Sequence, residues 1–191
     1  AFEKATELNP RDANLFCVLC STTFRLVRRY ADAVRVYDRA LVLEPNLYWV
    51  AVRKGWTYVM WHGEFDTLRA VFRKLPSDPE QRTAEVNALR ADLLLWERNP
   101  DSLLLMLQNE RSVVFDGQHF FLPAALYAAW AHRLRGDQAA ARSAFQLSRV
   151  LLDSVLKELP DDWRVHAARG LTQAGLGRRA EALAEARWLE Q

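Results

Sequence analysis

Apolar and small residues along this chain recur at steps of three and four, in blocks broken by Pro or Gly. That period belongs to amphipathic helices rather than strands. It predicts a helical stretch over 1–8, then helices over 12–27, 30–43, 47–61, 64–75, 80–98, 100–109, 119–135, 137–158, 162–176 and 178–190. Residues 110–118 break the rhythm, with Val113, Val114 and Phe115 followed by Asp116 and Gly117, and read as an irregular connection. A second regularity lies over the first. Phe2, Ala5 and Pro10 keep the same offsets as Tyr37, Ala40 and Pro45, and the two prolines stand 35 residues apart. Pro ends a helix because it lacks an amide donor and clashes with the preceding turn. A repeated aromatic–small–proline phrase at a period of about 34 residues marks stacked helix–turn–helix units.

The repeat divides the chain into a half unit over 1–10, units over 11–45 and 46–76, and a degenerate unit with its connection over 77–118. A unit with a long second helix follows over 119–160, and a last unit covers 161–191. Phe16, Leu19, Cys20 and Thr23 fill the aromatic, Leu, Gly and Tyr slots of one first helix, and Gly55 and Tyr58 match those slots in the next. Gly63, Gly136 and Gly177 stand where turns are needed, and Gly170, Ala141, Phe145 and Ala182 fall on the pattern. Small residues let helices approach and aromatics fill the space between pairs. On these residues the chain resembles the tetratricopeptide repeat family, most fully over 1–75 and 119–190. It departs from that family in having no Trp at the leading aromatic slot and in the altered length of two units. The stretch from Phe121 to Glu190 also resembles repeat regions of large bacterial regulators that carry a cyclase, kinase or winged-helix domain. The resemblance implies an all-α fold, an α-solenoid in which antiparallel helix pairs wind into a right-handed superhelix, forming one array over 1–191.

Composition narrows the function classes. Half of the 191 residues are hydrophobic and the formal charge is only +2, with 14 basic and 12 acidic groups in residues 1–95 and 12 of each in residues 96–191. A nucleic-acid surface normally shows a clustered basic face, so no nucleic-acid partner is expected. No apolar run reaches the roughly 18 residues of a membrane span, so no membrane partner is expected either. Arginine outnumbers lysine 22 to 4, which suggests a GC-rich bacterial genome. The chain opens without Met and inside a repeat, as a piece of a longer protein would. A cytoplasmic location is expected.

Signatures of chemistry are weak. Cys17 and Cys20 form a CxxC, but their neighbours Leu15, Phe16, Val18 and Leu19 are apolar, which suits small buried thiols better than a redox or metal pair. His62, His119, His132 and His166 show no metal-ligand spacing. His62 beside Gly63 reads as a helix C-terminal residue, and Asp161 and Asp162 as caps. No phosphate-binding or nucleophile motif occurs. The expectation is a chain that is not an enzyme and needs no metal or cofactor.

What remains is a surface. Trp49, Val52, Trp56 and Met60 share one helical face. In the tetratricopeptide family such a face of each first helix lines a groove, and the resemblance adds Arg25, Arg82, Leu126, Trp130, Arg133 and Arg164, with Asp92 and Leu89 on the same register. Trp and Arg favour binding hot spots, and arginine forks can clamp a carboxylate. The same stripe also fits an ordinary core between helices. The function implied is a non-catalytic scaffold that binds a protein or peptide. Two alternatives stand beside it: a regulatory or ligand-sensing domain of a bacterial signalling protein, and a structural module that forms homo-oligomers through array ends, where Phe2, Trp188 and Leu189 would be uncovered.

Overall fold

The computed structural model describes residues 9, 12, 22–75, 83–110 and 112–190. The half-unit helix, Pro10, Pro76, Arg82, Gln191 and the Cys17/Cys20 pair lie outside them. The chain divides into two compact units, Ala1–Ser77 and Asp78–Gln191.

The first unit contains helices α1 Thr22–Leu26, α2 Tyr30–Leu43, α3 Tyr48–His62 and α4 Asp66–Lys74, each packed on the next. The repeated phrase turns inward: Ala33, Tyr37 and Ala40 form a buried cluster with Val50, covered by Phe24, Val36, Leu41, Leu47 and Trp49. Gly55 of α3 explains how closely α4 approaches. A Cβ built there would lie 2.9 Å from the Leu68 Cα, so the two backbones meet where no side chain fits. Leu68 itself has no exposed surface.

The second unit contains α5 Ala84–Trp96, α6 Pro100–Asn109, strands β1 Val114–Gly117 and β2 Phe120–Pro123, then α7 Ala124–Leu134, α8 Gln138–Glu158, α9 Trp163–Gly175 and α10 Arg179–Leu189. Capping fixes the helix starts. Thr83 accepts from the Val86 amide, Asn99 from Ser102, Asp137 from Ala140 and Asp162 from Arg164. Helices α7 to α10 pack in chain order, each on its neighbour. Gly175 of α9 lies against the Phe145 ring of α8, in the space a Cβ would need.

The connection over 110–118 and the start of the helix expected over 119–135 need correction. Residues 114–123 form a two-stranded antiparallel hairpin, with Phe115 opposite Leu122 and Gly117 opposite Phe120. Leu122 precedes a proline, which disfavours helical backbone at that residue, so α7 begins only after Pro123. Val113, Val114 and Phe115 are strand-favouring residues. The hairpin also accounts for the length of α8. The far turns of that helix (Leu151, Leu152, Val155 and Leu156) pack with Phe121 and Leu122 of β2 and with Val165 and Ala168 of α9. The extra turns cover the inserted strand.

Arg28, Gly63, Arg98, Gly136 and Gly177 all carry positive φ, and they fall 35, 35, 38 and 41 residues apart. Each follows a helix and turns the chain into the next. Three are glycines, as the pattern requires. Arg98 is strained, because a side chain in the left-handed region costs roughly 1–2 kcal/mol, and it is exposed. Arg98→Gly is therefore expected to stabilise the chain by about 1 kcal/mol after the larger unfolded-state freedom of glycine is counted. Urea denaturation monitored by circular dichroism checks this; equal or lower stability would contradict it.

Candidate functional site

On α3, residues at successive helical turns divide by burial. Val52, Gly55 and Val59 are buried, while Trp49, Arg53 and Trp56 are half-buried and Met60 is exposed. The Arg53 guanidinium lies 5.1 Å from the Trp49 ring centre, a cation–π contact. The accessible row of this unit is Trp49, Arg53, Trp56 and Met60, and Val52 belongs to the core. Arg53 escaped the sequence reading although it stands four residues after Trp49, on the same face. Arg25 is half-buried in α1, and its Nε is enclosed without a hydrogen-bond partner.

In the second unit the face is built by α5 and α7. Tyr127 is fully buried and is the pivot of the arrangement. Phe115 of the hairpin packs edge-on against it at 5.4 Å, and Trp130, one turn further along α7, packs edge-on at 5.5 Å. The Tyr127 hydroxyl donates to Asp92 Oδ1 of α5 at 2.9 Å. Burial pushes the Asp92 carboxyl up to about 6, opposed in part by that hydrogen bond. Desolvation, then the Asp92 charge, raises the Tyr127 phenol well above its ordinary range.

Four sequence-selected residues of this unit take different roles. Trp130 is half-buried and Arg133 exposed, so both present surface. Leu126 has no exposed surface and packs with Ala129, Ala144 and Phe145 in the core. Arg164 is engaged structurally. It donates through Nε and Nη2 to Asp162, at 3.0 and 2.6 Å, and through Nη1 to Asp116 and the Gly117 carbonyl, at 2.8 and 2.7 Å. These bonds clasp the hairpin to the start of α9 and hold the Asp162 carboxyl below the usual range. Four of the five N–H donors of Arg164 are held in these bonds, so it is not a free rim cation.

A cleft of about 210 Å³ opens between Arg133 of α7 and α8, with Arg133, Gln138 and Arg142 beside Ala141, Phe145 and Leu176. Further along, a charged cluster ties three helices together. His166 Nδ1 lies 2.6 Å from Glu185 Oε2 and its Nε2 lies 2.8 Å from the Pro160 carbonyl. Arg169 bonds Glu185 and reaches Asp153 at 2.7 Å, and the His166 ring stacks on Trp188 at 3.6 Å. The cluster links α8, α9 and α10, which gives His166 a structural role. Among the described residues no helix is long and apolar enough to cross a membrane.

The raised Asp92 carboxyl makes stability depend on pH. Between about pH 4 and 6 the unfolded chain loses this proton while the folded chain keeps it, so stability falls as pH rises. The loss is complete above about pH 6 and is on the order of 3 kcal/mol. Asp92→Asn keeps an oxygen to accept from Tyr127 and removes the titration. Urea denaturation from about pH 4 to 7 is expected to show the wild type losing stability relative to Asp92→Asn; parallel curves would contradict it.

No family model matches the chain, and no curated protein matches it. Solved structures do. A tetratricopeptide repeat protein from Parabacteroides merdae ATCC 43184 aligns with a TM-score of 0.59 at 19% identity, over 97% of this chain and 68% of its own. YrrB, a tetratricopeptide repeat protein with an unusual peptide-binding site, aligns with a TM-score of 0.52 at 20% identity, over 99% of this chain and 90% of its own. Helix pairs joined by left-handed turns, close approaches at glycines and these two likenesses agree: the chain has the all-α solenoid fold of the tetratricopeptide repeat proteins.

Proposed function

We propose that this chain is a protein- or peptide-binding module with no chemistry of its own. The observation that carries the reading is the accessible part of α7, where half-buried Trp130 packs on Tyr127, the partner of Asp92, and exposed Arg133 follows one turn on, over the Phe145 ring of α8. Large aromatic and guanidinium groups that remain accessible are what hot spots are made of. The row Trp49, Arg53, Trp56 and Met60 offers the same chemistry in the first unit. A helix or extended segment laid along such a face would seat an apolar anchor against the tryptophan and a polar group at the rim. The fold supports this use, and so does the peptide-binding site named for YrrB, as an analogy of fold. Near-balanced charge favours a protein partner over nucleic acid.

The test is selection of binders from a random peptide library on the full chain, followed by titration of tryptophan fluorescence. Saturable binding is expected, weakened roughly tenfold or more when Trp130→Ala and Arg133→Ala are combined. Undiminished affinity in that double variant would remove the α7 face from the account.

A further inference from the structure

We infer that Asp92 is the docking point for a basic side chain, lysine or arginine, of the bound peptide. This deepens the peptide-binding reading and rests on it. Only one carboxylate oxygen of Asp92 is engaged, by the Tyr127 hydroxyl at 2.9 Å. Among the described residues Oδ2 has no partner, and it is not sealed from solvent. The groups around it do not supply a counter-charge. Helix α5 packs against α6, β1 and α7. Asp101 of α6 pairs with Arg135, Asp116 of β1 pairs with Arg164, and Arg133 of α7 lies over the Phe145 ring. His132 of α7 has its Nδ1 enclosed without a partner. Tyr127 is the one titratable group among the described residues that acts on Asp92.

A half-buried acid without a cation is an uncompensated cost at neutral pH, where most of it is ionised. Its raised ionisation, to about 6, expresses that cost. An incoming ammonium or guanidinium removes it by pairing with Oδ2. Trp130, held edge-on to Tyr127 at 5.5 Å, places an aromatic wall in the same arrangement. Such a wall receives the aliphatic stem of lysine or arginine and the positive head by cation–π attraction. Since the cation binds the ionised form, affinity must fall as pH drops through about 6 and the carboxyl takes up its proton.

Parallel selections of the random peptide library on the wild-type chain and on Asp92→Asn, at about pH 7.5, test this. Lysine or arginine is expected to recur at one position of the wild-type binders and not among those of Asp92→Asn. A selected peptide is expected to lose roughly tenfold or more in affinity when that residue becomes norleucine, a change that leaves the protein untouched. Its binding is expected to weaken from about pH 7.5 to about pH 5 in the wild type only. Binders without a recurring basic position, or basic binders indifferent to norleucine, overturn the inference and leave peptide binding standing. Selection of no peptide at all overturns both.

Discussion

The structure depends on helices that come together more closely than side chains allow. At Gly55 the backbone of α3 meets the Leu68 backbone of α4, and at Gly175 the end of α9 meets the Phe145 ring of α8. Gly170 adds a third approach, with the Glu185 Cβ 3.2 Å from where its own would stand. Such contacts exist because a two-helix unit has one apolar stripe per helix and cannot cover both alone. Phe145 illustrates the consequence. It is buried among residues of α7 and α9, so most of its roughly 2–3 kcal/mol of burial free energy comes from neighbours in the stack.

The inserted hairpin shows how this constraint absorbs an irregularity. A strand placed between helices carries its own uncovered face, and α8 extends until Leu151, Val155 and Leu156 reach it. Arg164 then fixes the hairpin end to α9. The insertion in turn shapes the accessible face. Phe115 buttresses Tyr127, Tyr127 orients Asp92, and Trp130 rests against the same phenol ring. The candidate site is thus a product of the departure from regular repeats as much as of the repeats themselves.

The same physics explains what could be read without coordinates. Ala33, Tyr37, Ala40 and Pro45 announce a helix, its inner face and its end, since burial and proline geometry are local consequences of the chain. Gly63, Gly136 and Gly177 announce turns, and Asp162 announces a cap. The turns at Arg28 and Arg98 were hidden because arginine gives no sign of a left-handed backbone. The strands were hidden because four residues are too few for a period of two to stand out beside a period of 3.6. Assigning residues to the binding face was harder still. Val52 and Arg53 are adjacent and differ by one helical step, yet one is core and the other surface. Arg164 looked like a rim cation because its partners Asp116 and Gly117 lie 48 and 47 residues away.

The most direct test of the account concerns shared burial. Gly175→Val places a side chain where the Phe145 ring now sits. If helices of this stack owe their order to one another, hydrogen exchange must quicken together in α9 and in the turns of α8 around Phe145. Faster exchange confined to the residues of α9 beside position 175, with α8 unchanged, would contradict it.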